Sequence, residues 1–153
     1  MENALEITSL KKTYQDFTLD RINLTLPSGS ILGLIGENGA GKSTTIKLIL
    51  GMIRRDGGTG RILGRDGGQE LSGLKEEIGV VLDEIGYPDC ITVKQLNKIM
   101  KHTYKRWNED VYFQYIDRFS LPQKKSFKDF SRGMKMKPGI AAALSHEPML
   151  LLL

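Results

Sequence analysis

The sequence predicts an α/β fold with an antiparallel β portion near the N-terminus and a helical region in its second half. Three observations carry this. Apolar alternation over the first residues reads as strands, with Leu5 and Ile7 and then Ile22, Leu24 and Leu26 separated by polar residues. A short continuous apolar run at residues 31–35 runs into a glycine-rich loop. From Thr92 onward, the apolar spacing becomes helical.

The elements follow in order. The strand containing Ile22, Leu24 and Leu26 runs up to the turn Pro27, Ser28, Gly29. Residues 31–35 have the composition of a central strand buried on both faces. After the loop, Ile46, Ile49, Leu50 and Ile53 recur at helical spacing, so residues 42–53 read as an amphipathic helix. Residues 55–60 read as a turn, Arg61, Ile62 and Leu63 as a strand, Gly67 and Gly68 as a second turn, and residues 78–82 as another strand. A helix from Thr92 carries Val93, Leu96, Ile99 and Met100 on one face. Asn108 is suited to cap the next, with Val111, Tyr115, Ile116 and Phe119 inward, and Leu121-Pro122 breaks it. A third helix is expected from Arg132 to Ser145, closed by Pro148. Pro138 falls inside it and removes one helical N–H at a cost of roughly 3 kcal/mol, so a kink or break between Met134 and Pro138 is expected. Residues 150–153 look like the start of a buried strand.

The bulk properties narrow the function classes. A chain of 153 residues suffices for one domain with a real core. No stretch approaches the roughly 20 apolar residues of a membrane-spanning helix. The N-terminus lacks a basic-then-apolar signal pattern, and the chain reads as cytoplasmic. The single Cys90 cannot form an internal disulfide, which agrees with a reducing compartment. A net charge of +4 is spread along the chain, with small clusters at Lys11-Lys12, Arg54-Arg55 and Lys124-Lys125. This suits a solvated basic face rather than a nucleic-acid stripe, and no nucleic-acid partner is expected. His102 and His146 are read as surface histidines.

The loop carries the chemistry. Gly36, Gly41, Lys42 and Ser43 meet the pattern G-x-x-x-x-G-K-[ST] between an apolar run and an amphipathic helix. Such a loop wraps a phosphate with inward backbone N–H groups, which glycine's positive φ permits. The helix that follows aims its N-terminal dipole at the same charge. Lys42 then reaches the β- and γ-phosphates of ATP, and Ser43 offers a hydroxyl to Mg²⁺.

The longer stretch Gly36, Glu37, Asn38, Gly39, Ala40, Gly41, Lys42, Ser43, Thr44 and Thr45 resembles the Walker A loop of ATP-binding-cassette (ABC) ATPases, the engines of ABC transporters. Further landmarks follow in the family's order, so the resemblance spans essentially the whole chain. Tyr14 stands where the family carries an aromatic residue that stacks on adenine; otherwise it reads as a strand-end tyrosine. Residues 130–134 are similar to the family's LSGGQ signature and keep its serine as Ser131 and its second glycine as Gly133. The resemblance implies that these two reach the γ-phosphate bound by a second subunit; from the residues alone, Ser131 is a helix cap. Asp83 falls where the family usually has a glutamine that helps hold Mg²⁺ and the attacking water. An aspartate can bind Mg²⁺ through oxygen, and a strand-end surface residue is the alternative reading.

The resemblance therefore implies a P-loop NTPase core of the ABC ATPase type, spanning residues 1–90 and 138–153, with a helical subdomain at residues 91–137. Residues 148–153 resemble the approach to Walker B, whose acidic pair and the later switch histidine do not follow, so a C-terminally truncated domain is expected. The expected function of the intact protein is ATP hydrolysis coupled to transport through a separate transmembrane permease. It would pair head-to-tail with a second ABC ATPase subunit at the inner face of the membrane. The short helical region and the form of residues 131–134 resemble drug or antibiotic exporters. The chain as given is expected to bind ATP without efficient hydrolysis. Rival readings are a soluble cassette ATPase acting on ribosomes or nucleic acid, a nucleotide-binding fragment without turnover, and a P-loop kinase or GTPase.

Overall fold

The structure, a computed structural model, describes residues 2–66, 71–82 and 86–153. The expected turn at Gly67 and Gly68, and Asp83, lie outside the described residues. The chain divides into two compact units, Met1–Leu74 and Lys75–Leu153.

In the first unit, β1 (Asn3–Thr13) and β2 (Thr18–Pro27) pair antiparallel. On the other edge of β1 lies β3 (Gly57–Ile62), followed by the short β4 (Arg65–Asp66), giving the order β2-β1-β3-β4. Leu5 and Ile7 are buried as the alternation requires, but the next buried position on β1 is Leu10. The phase changes because β1 carries a bulge: Thr8 opposes Thr59 and Lys11 opposes Gly57, so β1 spends one extra residue against β3. Ser9, at φ 51°, takes the left-handed backbone there. Residues 57–60, expected as a turn, form most of β3. A Cβ on Gly58 (φ 83°) would stand 2.3 Å from the Ser9 carbonyl oxygen, so glycine at this site serves close strand approach.

α1 (Lys42–Ile49) is shorter than expected and buries Thr45, Leu48 and Ile49 rather than the stripe of Ile46, Leu50 and Ile53. The helix stops because Gly51 enters the left-handed region at φ 63°. Gly51 N–H then donates to the Leu48 carbonyl at 3.1 Å and Met52 N–H to that of Lys47 at 2.9 Å. A cavity of about 10 Å³ lined by Leu5, Ile7, Leu10, Leu48, Ile49 and Ile62 marks where α1 meets the sheet.

Residues 31–35 do not form the expected central strand. They adopt no regular structure, and Ile31 and Ile35 are fully exposed. A strand buried on both faces needs hydrogen-bonded neighbours and a covering layer on each side. The apolar pattern records what the segment is able to bury, and among the described residues it belongs to neither sheet.

The first unit ends on α2 (Leu71–Leu74), and the second opens with β5 (Ile78–Val80), which pairs parallel with β6 (Leu150–Leu152); both strands fall in runs that the sequence read as strands. α3 (Val93–Thr103) starts at a reciprocal capping box between Thr92 and Gln95. α4 (Glu109–Arg118) is capped by Asn108, whose Oδ1 accepts from Val111 N–H at 3.1 Å. The inward faces are rotated from expectation. Ile99 is about half exposed, whereas Asn97 is buried and accepts from Trp107 Nε1 at 2.9 Å. On α4 the fully buried aromatic is Tyr112, whose hydroxyl donates to the Val93 carbonyl at 3.2 Å. Burial holds that phenol's pKa well above the usual range.

A single 3₁₀ turn (Phe127–Asp129) precedes α5 (Arg132–Leu144). A core of the second unit comprises Val93, Leu96, Tyr112, Ile116, Leu121, Phe127, Phe130, Ala141 and Ala142. α5 runs unbroken past Pro138, which is itself fully buried, so the expected break does not occur. His146 is buried rather than on the surface. Its ring stacks on Tyr104 at 4.1 Å, and its two nitrogens face the carbonyls of Ala142 and Ile78, each at 3.2 Å. A histidine two residues before a proline gives no periodic signal of burial; the stacking partner comes from a distant part of the chain. His102 is exposed as expected.

Candidate functional site

The glycine loop is exposed from Gly36 to Ala40 and leads straight into α1. Its turn is closed by Ala40 N–H donating to the Glu37 carbonyl at 3.2 Å. Gly39 and Gly41 hold φ values of 87° and 92°, the region where only glycine is unstrained. A Cβ on Gly36 would press the Ala40 methyl at 3.2 Å. A side chain is thus excluded at Gly39 by the backbone angle alone, and at Gly36 by its neighbour in the loop.

Lys42 folds back over this loop. Its ammonium donates to the Gly36 carbonyl at 2.6 Å and to the Glu37 carbonyl at 2.9 Å, using two of its three donors. The cation is thus held against the loop backbone. Gly41, the N-cap of α1, brings no side-chain acceptor. The first-turn N–H groups, which have no intrahelical partner, are left for an external acceptor. The first recorded intrahelical bond is Thr45 N–H to Gly41 O at 2.8 Å, reinforced by the Thr45 hydroxyl at 2.9 Å. Ser43 is exposed on this first turn, with Thr44 beside it. Tight glycines, a cation in the loop and free helix N–H groups together fit a phosphate chain.

Tyr14 belongs to the same unit, at the turn between β1 and β2, where its N–H donates to the Phe17 carbonyl at 2.8 Å. The residue is 45% exposed. The glycine loop touches this turn through Phe17: a Cβ on Gly41 would lie 2.8 Å from Phe17 Cζ. Two residues that sequence reasoning missed hold the turn. Asp56 accepts from Thr13 N–H at 2.8 Å and from the Lys12 ammonium at 3.0 Å. The Thr13 N–H, followed by Lys12, keeps the Asp56 carboxyl below the usual carboxylate range. Only the Asp-Gly-Gly turn signal marked Asp56 in the sequence, and it pointed to a different role.

Ser131 and Gly133 lie in the second unit. Both are exposed at the start of α5, and Ser131 caps it by accepting from Met134 N–H at 3.3 Å. The space that a side chain on Gly133 would enter is open. The preceding Phe130 is buried against Phe127, with ring centroids 5.3 Å apart, which anchors the cap. Among the described residues, no helix is long and apolar enough to cross a membrane.

Comparison with known proteins agrees with this geometry. Residues 19–153 match the ABC transporter family. The chain is 33% identical to the bacitracin transport ATP-binding protein BcrA of Enterococcus faecalis, covering 100% of this chain and 51% of that one. It is 32% identical to the daunorubicin/doxorubicin resistance ATP-binding protein DrrA of Streptomyces peucetius, covering 98% of this chain and 47% of that one. A solved ATP-binding subunit of an ABC transporter superposes with a TM-score of 0.83 at 26% identity, over 97% of this chain and 65% of that one. The chain spans about half the length of these curated relatives. Its fold is the α/β P-loop fold of ABC ATPase domains, and the chain belongs to the ABC transporter family.

Proposed function

We propose that this chain is the nucleotide-binding part of an ABC transporter's ATP-binding subunit, which couples ATP binding and hydrolysis to transport through a separate membrane permease. The observation that carries this is the Lys42 ammonium held inside the exposed glycine loop, 2.6 Å from the Gly36 carbonyl, at the open N-terminus of α1. Residues 36–45 wrap the phosphates, and Lys42 offers its remaining donor to the β- and γ-phosphates. Ser43, and Asp83 as an oxygen donor, are the residues that would hold Mg²⁺, which would neutralise charge on the phosphates. Tyr14 stacks on adenine. Bound MgATP supplies the phosphoanhydride whose cleavage drives transport.

Residues 1–90 and 138–153 form the nucleotide-binding core and residues 91–137 the helical subdomain. Ser131 and Gly133, exposed at the start of α5, meet the γ-phosphate of a second subunit in a head-to-tail dimer. The subunit works at the cytoplasmic face of the membrane through its permease. The names of BcrA and DrrA support antibiotic or drug export as its class.

The test is calorimetric titration of the chain with MgATP, beside Lys42→Ala. Removing a point charge from the phosphates is expected to weaken binding about tenfold or more, with an unchanged circular dichroism spectrum. Equal affinity of the two folded proteins overturns the reading.

A further inference from the structure

We infer that Lys12, held in place by Asp56, is a positioning residue that orients Tyr14 for stacking on a nucleotide base. The inference rests on the nucleotide reading above and adds residues to it. Lys12 lies near the end of β1, and Tyr14 follows just beyond it at the turn. The Lys12 ammonium stands over the Tyr14 ring, 5.6 Å from its centroid. It is fixed there by Asp56 Oδ1 at 3.0 Å.

Asp56 grips three successive residues. Its N–H donates to the Lys11 carbonyl at 2.9 Å, its Oδ1 accepts from Lys12 and its Oδ2 from Thr13 N–H at 2.8 Å. Lys12 is the more buried partner, its side chain 18% exposed against 41% for Asp56. On the other side, Tyr14 N–H is tied to Phe17, and Phe17 lies against Gly41 of the phosphate loop. Tyr14 is therefore clamped between Asp56 and the loop, with a cation on one face of its ring. A base is left the opposite face. A cation on one side draws π density from the ring, which suits stacking of an electron-rich purine on the other.

The experiment compares MgATP with inorganic tripolyphosphate, which lacks base and sugar, by calorimetry on the full chain. Lys12→Met is expected to weaken MgATP about two- to fivefold and to leave tripolyphosphate unchanged. Lys12→Arg, which keeps the cation and the pair, is expected to restore MgATP affinity. Tyr14→Ala is expected to weaken MgATP about tenfold, and Lys12→Met added to it is expected to do nothing further. If Tyr14→Ala weakens MgATP but Lys12→Met does not, the inference is overturned while base stacking stands. Equal weakening of both ligands by Lys12→Met, or additive losses in the double variant, also overturns it. If the wild-type chain binds neither ligand, or Tyr14→Ala leaves MgATP unchanged, the nucleotide or stacking reading fails and takes the inference with it.

Discussion

Gly41 lies directly against Phe17: a side-chain carbon at Gly41 would come within 2.8 Å of Phe17 Cζ and 2.9 Å of Leu19 Cδ1. The last glycine of the phosphate loop is thus required twice, by its backbone at φ 92° and by the ring that fills its side-chain space. Gly41→Ala is expected to lower stability by about 1–3 kcal/mol through strain and overpacking. MgATP affinity is expected to fall at least about tenfold. Phe17→Ala in the same background relieves the Phe17 contact but neither the Leu19 contact nor the φ, so it is expected to recover only part of the lost stability. Urea unfolding of the wild type and the two variants checks this; full recovery would locate the whole penalty in the Phe17 contact.

Gly58 meets a harder obstacle, the backbone of Ser9 at the bulge of β1. Backbone cannot swing away as a side chain can. Gly58→Ala is expected to destabilise the first unit by on the order of 3 kcal/mol, from the left-handed φ together with the collision. Hydrogen exchange provides the readout: amides of β1 and β3 lose protection first. A variant as stable as the wild type would mean that the bulge is not held as described.

Ser131 caps α5, and this structural role can be separated from any role toward nucleotide. Ser131→Ala is expected to cost about 1 kcal/mol of stability, whereas Ser131→Asn, which also caps, is expected to cost little. Thermal unfolding compares the two. If Ser131 also meets a phosphate across a dimer, nucleotide-dependent association measured by light scattering falls in both variants. Loss of association in Ser131→Ala alone would assign the effect to the cap.

Acid should unfold the second unit partly through Glu76. Its carboxylate accepts from Lys105 N–H at 2.9 Å and from Arg106 N–H at 3.4 Å. The Lys105 bond, before the others, holds its pKa below the ordinary 4.5. A depressed carboxylate contributes stability that is fully present above its unfolded pKa. That contribution is lost as pH falls through the lower folded value. Urea midpoints between pH 7 and about 3 are expected to fall less steeply for Glu76→Gln than for the wild type, with the difference confined to pH below about 5. Parallel curves for the two proteins would refute the assignment.

Sequence alone determined the identity of the phosphate loop, the antiparallel start of the chain, the caps at Asn108 and Ser131, and the strands at residues 78–80 and 150–152. These are local or strongly patterned. A cap needs only its own first turn, and the spacing of Gly36, Gly41, Lys42 and Ser43 is set by one anion. Tertiary structure decided which apolar residues turn inward. α1 ends at Gly51 and buries Thr45, and α3 buries Asn97 because Trp107 supplies its partner. His146 is buried because Tyr104 provides a stacking surface more than forty residues earlier in the chain. Residues 31–35 show the converse, since an apolar run becomes a central strand only where neighbours hydrogen-bond to both its edges. The grip of Asp56 on Lys12 and Thr13, and the contact of Phe17 with Gly41, depend on chain reversals that bring distant residues within hydrogen-bonding or van der Waals reach. No spacing in the sequence records such contacts, because their energy exists only once the sheet has formed.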